Sequence, residues 1–171
     1  HYKGCILRNM RPELIMFDDE ETFSCKIVDL SLAIMADEVQ PNSREFVFDH
    51  FTKMLPLFWP PELFSQKKNY SKAVDIWSCG CIIFNMMTGV PPFYEEEREN
   101  LMNAVQRGNY AGMSPDFDAN GSKELKELLA GMIVCNPLKR ITADDLVQNK
   151  WIGAAHQKYR GLSKTVVKSA F

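Results

Sequence analysis

The segment KAVDIWSCGCIIFNMMTG, residues 72–89, constrains the fold of this chain more than any other part of the sequence. It has the pattern of one helix, with Ser71 as a candidate N-terminal cap and Gly89 where a left-handed residue can close a helix. Apolar residues occupy nearly every face of this helix, so we predict that it is buried all round. A chain of 171 residues is long enough to surround it with one sizeable core. The sequence therefore predicts a helical bundle around a buried central helix.

Composition and charge argue against several classes of function. Hydrophobic residues make up 46% of the chain, charged residues 25%, and the net charge is −2, so no basic field favours nucleic acid or an anionic membrane. The longest apolar stretch is too short to cross a bilayer, and the first residues lack the pattern of a signal peptide. Five cysteines without framework spacing indicate reduced thiols. We expect an intracellular protein, cytoplasmic or cytoskeletal, with no nucleic-acid or membrane partner.

The segments on either side of the central helix differ in pattern. Residues 14–29 predict a small β-hairpin, because two strand-like runs flank the acidic turn DDEET. Residues 30–58 show no clear period and predict a long ordered loop. A short helix is predicted to open at Pro60. Three further helices are predicted, over 95–107 and from the candidate caps Ser122 and Thr142. The predicted fold class is mainly α, of the α+β type.

Six short motifs, in order, resemble the C-terminal lobe of a protein kinase. In that family the catalytic loop H-R-D-L-x-x-x-N is followed by D-F-G and then by A-P-E. Here LRNMRPEL, DLS and PPE occupy these positions, and DIWSCG, TGVPPF and NPLKRITADDLVQNKWI match later segments of the family. The last two are most similar to the calcium/calmodulin-dependent Ser/Thr kinase group. The resemblance implies a protein-kinase-like C-terminal lobe with degenerate catalytic motifs.

The resemblance also implies a division of the chain. A kinase-like lobe would cover 1–152, with a catalytic-loop region at 5–33, an activation-type segment at 29–62 and a helical subdomain at 60–152. A basic tail would follow at 153–171. The sequence contains neither a G-x-G-x-x-G loop nor a V-A-I-K strand, so the resemblance implies that the N-terminal lobe is absent from this chain. We therefore expect no cofactor here, and Mg-ATP only if an N-terminal lobe is present.

The positions that carry the chemistry in this family are altered here. The resemblance places Asn9 where the base carboxylate would be, Arg11 at the catalytic lysine and Leu14 at the second metal ligand. Leu55 stands where the family usually has a threonine. An amide cannot take the substrate proton, and an alkyl group cannot ligate a hard cation. Asp29, the family's main magnesium ligand, is retained, with a structural acid at a strand end as the alternative role.

Four residues with structural roles in the family are present. The resemblance implies a buried ion pair between Glu62 and Arg140. It implies that Asp75 accepts hydrogen bonds from the backbone of the catalytic loop. It assigns Arg8 to a phosphate on the activation-type segment, with satisfaction by a Glu or by backbone as the alternative.

Loss of the reactive groups with retention of the scaffold predicts a pseudokinase. Such a domain, or a fragment of one, would act as a binding, scaffold or structural module. Its protein partners are expected at residues 30–58 of the activation-type segment or at the helix over 95–107. The alternative is an ATP-dependent Ser/Thr protein kinase with weak or atypical activity when it is joined to an N-terminal lobe.

Two further patterns point to calcium signalling. The stretch DFDANGSKELKE matches the calcium-loop pattern and would place four side chains around one cation: Asp116, Asp118, Asn120 and Glu127. It supports a second alternative, a calcium-responsive regulatory domain, although the kinase-like alignment assigns Ser122 onward to a helix. The tail at 155–171 is basic with a sparse apolar stripe, which is typical of a calmodulin target helix or of a frayed terminus.

Overall fold

Six α-helices and four short strands lie in the part of the chain that the structure, a computed structural model, describes: residues 1, 3–19, 24–39, 56–64, 71–110 and 114–154. The strands are β1 (Cys5–Ile6), β2 (Ile15–Asp19), β3 (Ser24–Ile27) and β4 (Ile34–Met35). The helices are α1 (Pro61–Phe64), α2 (Ala73–Thr88), α3 (Arg98–Arg107), α4 (Pro115–Asn120), α5 (Lys123–Met132) and α6 (Ala143–Gln148). This helix-rich fold with two small antiparallel sheets agrees with the predicted class, mainly α with a small β-hairpin.

Strands β2 and β3 form the predicted hairpin. They pair antiparallel, with Ile15 opposite Ile27 and Phe17 opposite Cys25, and the register shifts between Phe17 and Asp19. The side chains of Met16 and Phe17 are 56% and 61% exposed, so the hairpin presents apolar groups to solvent within the described residues. The contact between the two strands continues one residue beyond them, because the N–H of Val28, just after β3, donates to the carbonyl of Leu14, just before β2.

A second two-stranded sheet was not predicted. Strand β1 pairs antiparallel with β4, with Cys5 opposite Met35 and Ile6 opposite Ile34. A one-turn 3₁₀ helix, Ala36–Glu38, follows β4. The prediction of a long ordered loop over 30–58 is therefore wrong at 34–38, where strand β4 and this 3₁₀ helix lie. Residues 40–55 of that loop lie outside the described residues.

Helix α2 is the centre of the core. Val74 and Trp77 have no exposed surface, and Phe84 is 1% exposed. Trp77 stacks on Phe93, with ring centroids 5.6 Å apart. Gly80 allows α5 to approach closely, because a Cβ at this position would lie 2.9 Å from the Cβ of Met132. These contacts confirm that the chain is built around this helix.

The two ends of α2 differ in how well they were predicted. Gly89 closes the helix in the left-handed conformation, with φ 77°, as expected. The helix begins at Ala73 with Lys72 at the N-terminal cap position, one residue after the predicted cap, and the hydroxyl of Ser71 accepts the Ala73 N–H at 3.3 Å. The prediction of all-round burial is wrong in the last turn, where Met86 and Met87 are 73% and 53% exposed. Composition gave no sign of this, because burial of a helix end depends on which elements pack there.

The later helices begin close to their predicted caps. The Ser122 hydroxyl accepts an N–H of the first turn of α5, and Thr142 and Asp145 form a capping box at α6. Helix α3 begins at Arg98 rather than at 95, because the backbone of Glu97 is extended. Helix α4 was not predicted. None of the helices in the described ranges is long and apolar enough to cross a membrane.

Candidate functional site

Asp75, in the first turn of α2, binds the loop that contains the candidate chemical positions. Its Oδ1 accepts the backbone N–H of Arg8 at 2.8 Å, and its Oδ2 accepts that of Leu7 at 2.8 Å. Oδ2 also lies 2.9 Å from Nε2 of His1. Burial raises the pKa of Asp75, while the hydrogen bonds from Leu7 and Arg8 oppose this shift. The carboxylate tolerates burial because its oxygens are engaged by donors.

Arg8 connects this loop to the segment that follows β3. Its backbone has φ 64°, in the left-handed region that an arginine rarely adopts. The residue is 7% exposed, and its Nε donates to the Leu32 carbonyl at 2.6 Å. The backbone contact proposed as the alternative for Arg8 is thus present. Ser43 and Thr52, the candidate phosphate acceptors on the activation-type segment, lie outside the described residues.

Leu14, which the resemblance places at the second metal-ligand position, is a core residue. It ends a one-turn 3₁₀ helix, Pro12–Leu14, and is 8% exposed. Its N–H donates to the Arg11 carbonyl, and its own carbonyl accepts the Val28 N–H at 3.0 Å. Asn9 and Arg11, at the base and lysine positions, are both half-buried. The loop therefore presents an amide, a guanidinium and an apolar side chain where the family has reactive groups.

Asp29 is the carboxylate that remains at a chemical position, and it is exposed. Its Oδ1 accepts the Ser31 N–H at 2.8 Å. Hydrogen bonds from the backbone and the side chain of Ser31 lower the pKa of Asp29, and the charge of Arg11 lowers it further. Asp29 is therefore ionised at neutral pH. Its bond to Ser31 also fits the structural alternative, an acid that stabilises a turn.

A magnesium ion would find only part of a ligand set at this site. Magnesium is usually held by one or two carboxylates together with water and substrate phosphates. Asp29 fits such a role, whereas Leu14 provides no donor atom from its side chain. No group of three or more His, Cys, Asp or Glu side chains in the described part of the chain has metal-binding geometry.

Arg140 and Glu62 form the ion pair that the resemblance implies. The two terminal nitrogens of Arg140 donate to the two carboxylate oxygens of Glu62, at 2.5 and 2.7 Å. Arg140 also donates to three backbone carbonyls, those of Ala73, Val134 and Cys135. Its guanidinium lies 5.0 Å from the ring centroid of Trp77. The pair thus joins α1, α2 and the segment between α5 and α6.

The stretch that matches a calcium loop differs from a loop in its backbone. Residues Pro115–Asn120 form α4, and α5 begins at Lys123. The side chains of Asp116 and Asn120 lie outside the described residues. Glu127, the expected bidentate ligand, lies 3.7 Å from Lys123 on the exposed face of α5. The helical backbone agrees with the kinase-like alignment, which assigned Ser122 onward to a helix.

The sequence did not predict one residue of the site, and two of its predictions concern residues that the structure does not describe. His1 received no role, yet it contacts Asp75 from 74 positions away. A short-range pattern could not reveal this contact, because it depends on how the loop returns to α2. Leu55 and the tail at 155–171 lie outside the described residues.

The fold and the arrangement of Asp75, Glu62 and Arg140 define a lobe of the protein kinase type. The family model described as "Protein kinase domain" matches residues 1–152. The chain therefore belongs to the protein kinase domain family.

Relatives of the calcium/calmodulin-dependent type are similar to the same part of the chain. The calcium/calmodulin-dependent protein kinase type II alpha chain of Drosophila melanogaster is 34% identical over 153 residues, which are 89% of this chain and 27% of that protein. The type II delta subunit of Oryctolagus cuniculus is 33% identical over the same shares of both chains. This chain thus spans about a quarter of the length of these relatives.

Solved structures show the same fold. The crystal structure of the Rad53 kinase domain and SCD2 superposes with a TM-score of 0.68 and 25% identity, over 89% of this chain and 49% of that one. The same protein in complex with AMPPNP also gives a TM-score of 0.68, over 52% of its chain. The matched region is about half of each solved chain.

Proposed function

We propose that this kinase-family domain is catalytically impaired and acts as a binding, scaffold or structural module, that is, as a pseudokinase. The observation that carries the proposal is the pair of residues at the base and second metal positions, Asn9 and Leu14. Family membership by itself is compatible with an active enzyme, so the proposal depends on these two side chains.

The first step of the argument concerns the proton. In phosphoryl transfer by a protein kinase, a carboxylate accepts the proton of the substrate hydroxyl. Asn9 is half-buried in the loop that Asp75 binds. Its side chain is a neutral amide, which accepts hydrogen bonds but does not take up a proton. General-base catalysis is typically worth about 10²–10⁴ in rate. The loss of this group therefore removes a large share of the rate enhancement.

The second step concerns the metal. Leu14 is 8% exposed, so its isobutyl group is part of the core. Solvent therefore does not take the place of this side chain. An oxygen ligand at this position would require a different residue. Arg11 retains the positive charge of the family's lysine but changes its geometry. Activity would thus need one group that replaces the proton-accepting carboxylate and another that replaces the ligand of the second cation.

The scaffold around these positions is intact, which supports a role that depends on shape. Asp75 still binds the loop backbone, and Arg140 still pairs with Glu62. We propose protein partners at 30–58 or at the helix predicted over 95–107, which in the structure is α3. A calmodulin contact at 155–171 and an intracellular, cytoplasmic or cytoskeletal location stay predictions.

One observation favours the alternative, a Ser/Thr kinase with weak activity. Asp29 is exposed and ionised, as a magnesium ligand must be. The related Rad53 structure was solved with AMPPNP, a nucleotide analogue. Under this alternative, Asp29 would still hold a magnesium ion against a nucleotide when an N-terminal lobe is present.

A phosphotransfer assay on the full-length protein tests the proposal. Wild type should show no turnover above a no-enzyme background, because it lacks the base and the second metal ligand. The variant Asn9→Asp/Leu14→Asn restores both groups, and any gain in turnover would identify them as the missing parts. Wild-type turnover well above background would overturn the proposal.

A matched control variant is available for this assay. Asn103→Asp/Leu138→Asn makes the same chemical changes on α3 and at a leucine that is 93% exposed. This variant should behave as wild type. Thermal denaturation of both double variants checks that each is folded before activity is compared.

Thermal-shift measurements with ATP and magnesium on the full-length protein distinguish the alternative. If Asp29 still binds the metal, the nucleotide should raise the midpoint of wild type more than that of Asp29→Asn. If the denaturation midpoints of both proteins are the same with and without nucleotide, the result contradicts the weak-kinase alternative and agrees with the binding-module proposal.

A further inference from the structure

We draw no further inference here: the strongest candidate, the cavity between the N-terminal end of α2 and the segment from Pro137 to Asp144, opens beside His1, and nothing in the structure shows what covers it.

Discussion

The backbone N–H of Arg8 donates to Oδ1 of Asp75 at 2.8 Å, across 67 residues of sequence. Arg8 is the only non-glycine residue with positive φ in the described ranges. Such a conformation costs about 1–3 kcal/mol and persists where the surrounding structure requires it. The hydrogen bonds from the backbone of Leu7 and Arg8 to Asp75 hold the loop in this conformation. The loop thus keeps its shape with an amide at Asn9 and an apolar side chain at Leu14.

Replacement of Asp75 by asparagine should destabilise the fold at neutral pH. The amide has one acceptor oxygen, so its NH₂ group would face the N–H of either Leu7 or Arg8. An unsatisfied buried donor costs about 1–3 kcal/mol, and we expect a loss of that size in the free energy of unfolding. Chemical denaturation at pH 7 measures it. Asp144→Asn, at an exposed acid, is the control and should change little.

The same variant should change how stability depends on pH. Because burial raises the pKa of Asp75, the native state binds this proton more tightly than the unfolded chain does. Stability from this group therefore falls as the pH rises from 3.8, its ordinary value, through the raised pKa. Asparagine does not titrate, so the stability difference between wild type and Asp75→Asn should shrink across that window. A difference that is constant from pH 4 to 8 would contradict this.

Removal of the charge of Glu62 should cost far more than removal of an exposed charge. The Arg140 side chain is 0% exposed and that of Glu62 is 10% exposed, so Glu62→Gln leaves a buried cation without its partner. Breaking a buried pair from one side typically costs about 3–5 kcal/mol. Glu127→Gln removes the exposed pair with Lys123 and should cost less than about 1 kcal/mol. Similar denaturation midpoints for the two variants would show that the buried pair adds little.

Gly80→Ala tests the close contact between α2 and α5. The new Cβ would lie 2.9 Å from the Met132 Cβ and from Cγ1 of Ile133. Overpacking of this kind costs about 1–3 kcal/mol, although alanine alone favours a helix by about 1 kcal/mol over glycine. Gly153→Ala is the matched control, because a Cβ there has nothing within 4 Å. Thermal denaturation should show a lower midpoint for Gly80→Ala and an unchanged or higher one for Gly153→Ala.

The cysteines should differ in reactivity in the native protein. Burial raises the pKa of Cys79 to about 11 and raises that of Cys81 as well, and Cys81 has no exposed surface. The thiolate is the reactive form, so neither should react at pH 8. Cys25 is exposed on the hairpin and should be alkylated first. Mass spectrometry after brief iodoacetamide treatment checks the order. Rapid labelling of Cys81 without denaturant would mean that α2 is less buried than the structure shows.

Local patterns in the sequence were sufficient for much of the fold. Gly89 closes α2 because glycine adopts the left-handed conformation without steric cost, and that requirement is visible in sequence. Ser122 and Thr142 cap their helices through side-chain oxygens that reach only three residues. The resemblance to the protein kinase family also implied the pair of Glu62 and Arg140, although 78 residues separate them.

Other features depended on contacts that no local pattern encodes. The pairing of β1 with β4 and the contact of His1 with Asp75 each join residues that lie far apart in the sequence. The exposure of Met86 shows the same limit, since hydropathy describes a helix but not the neighbours that cover it. Side-chain identity decides what can take a proton or ligate a cation, so the amide of Asn9 and the alkyl group of Leu14 are known from the sequence. Burial depends on packing across the whole chain, so only the folded structure shows that Leu14 is buried and that Asp29 is exposed.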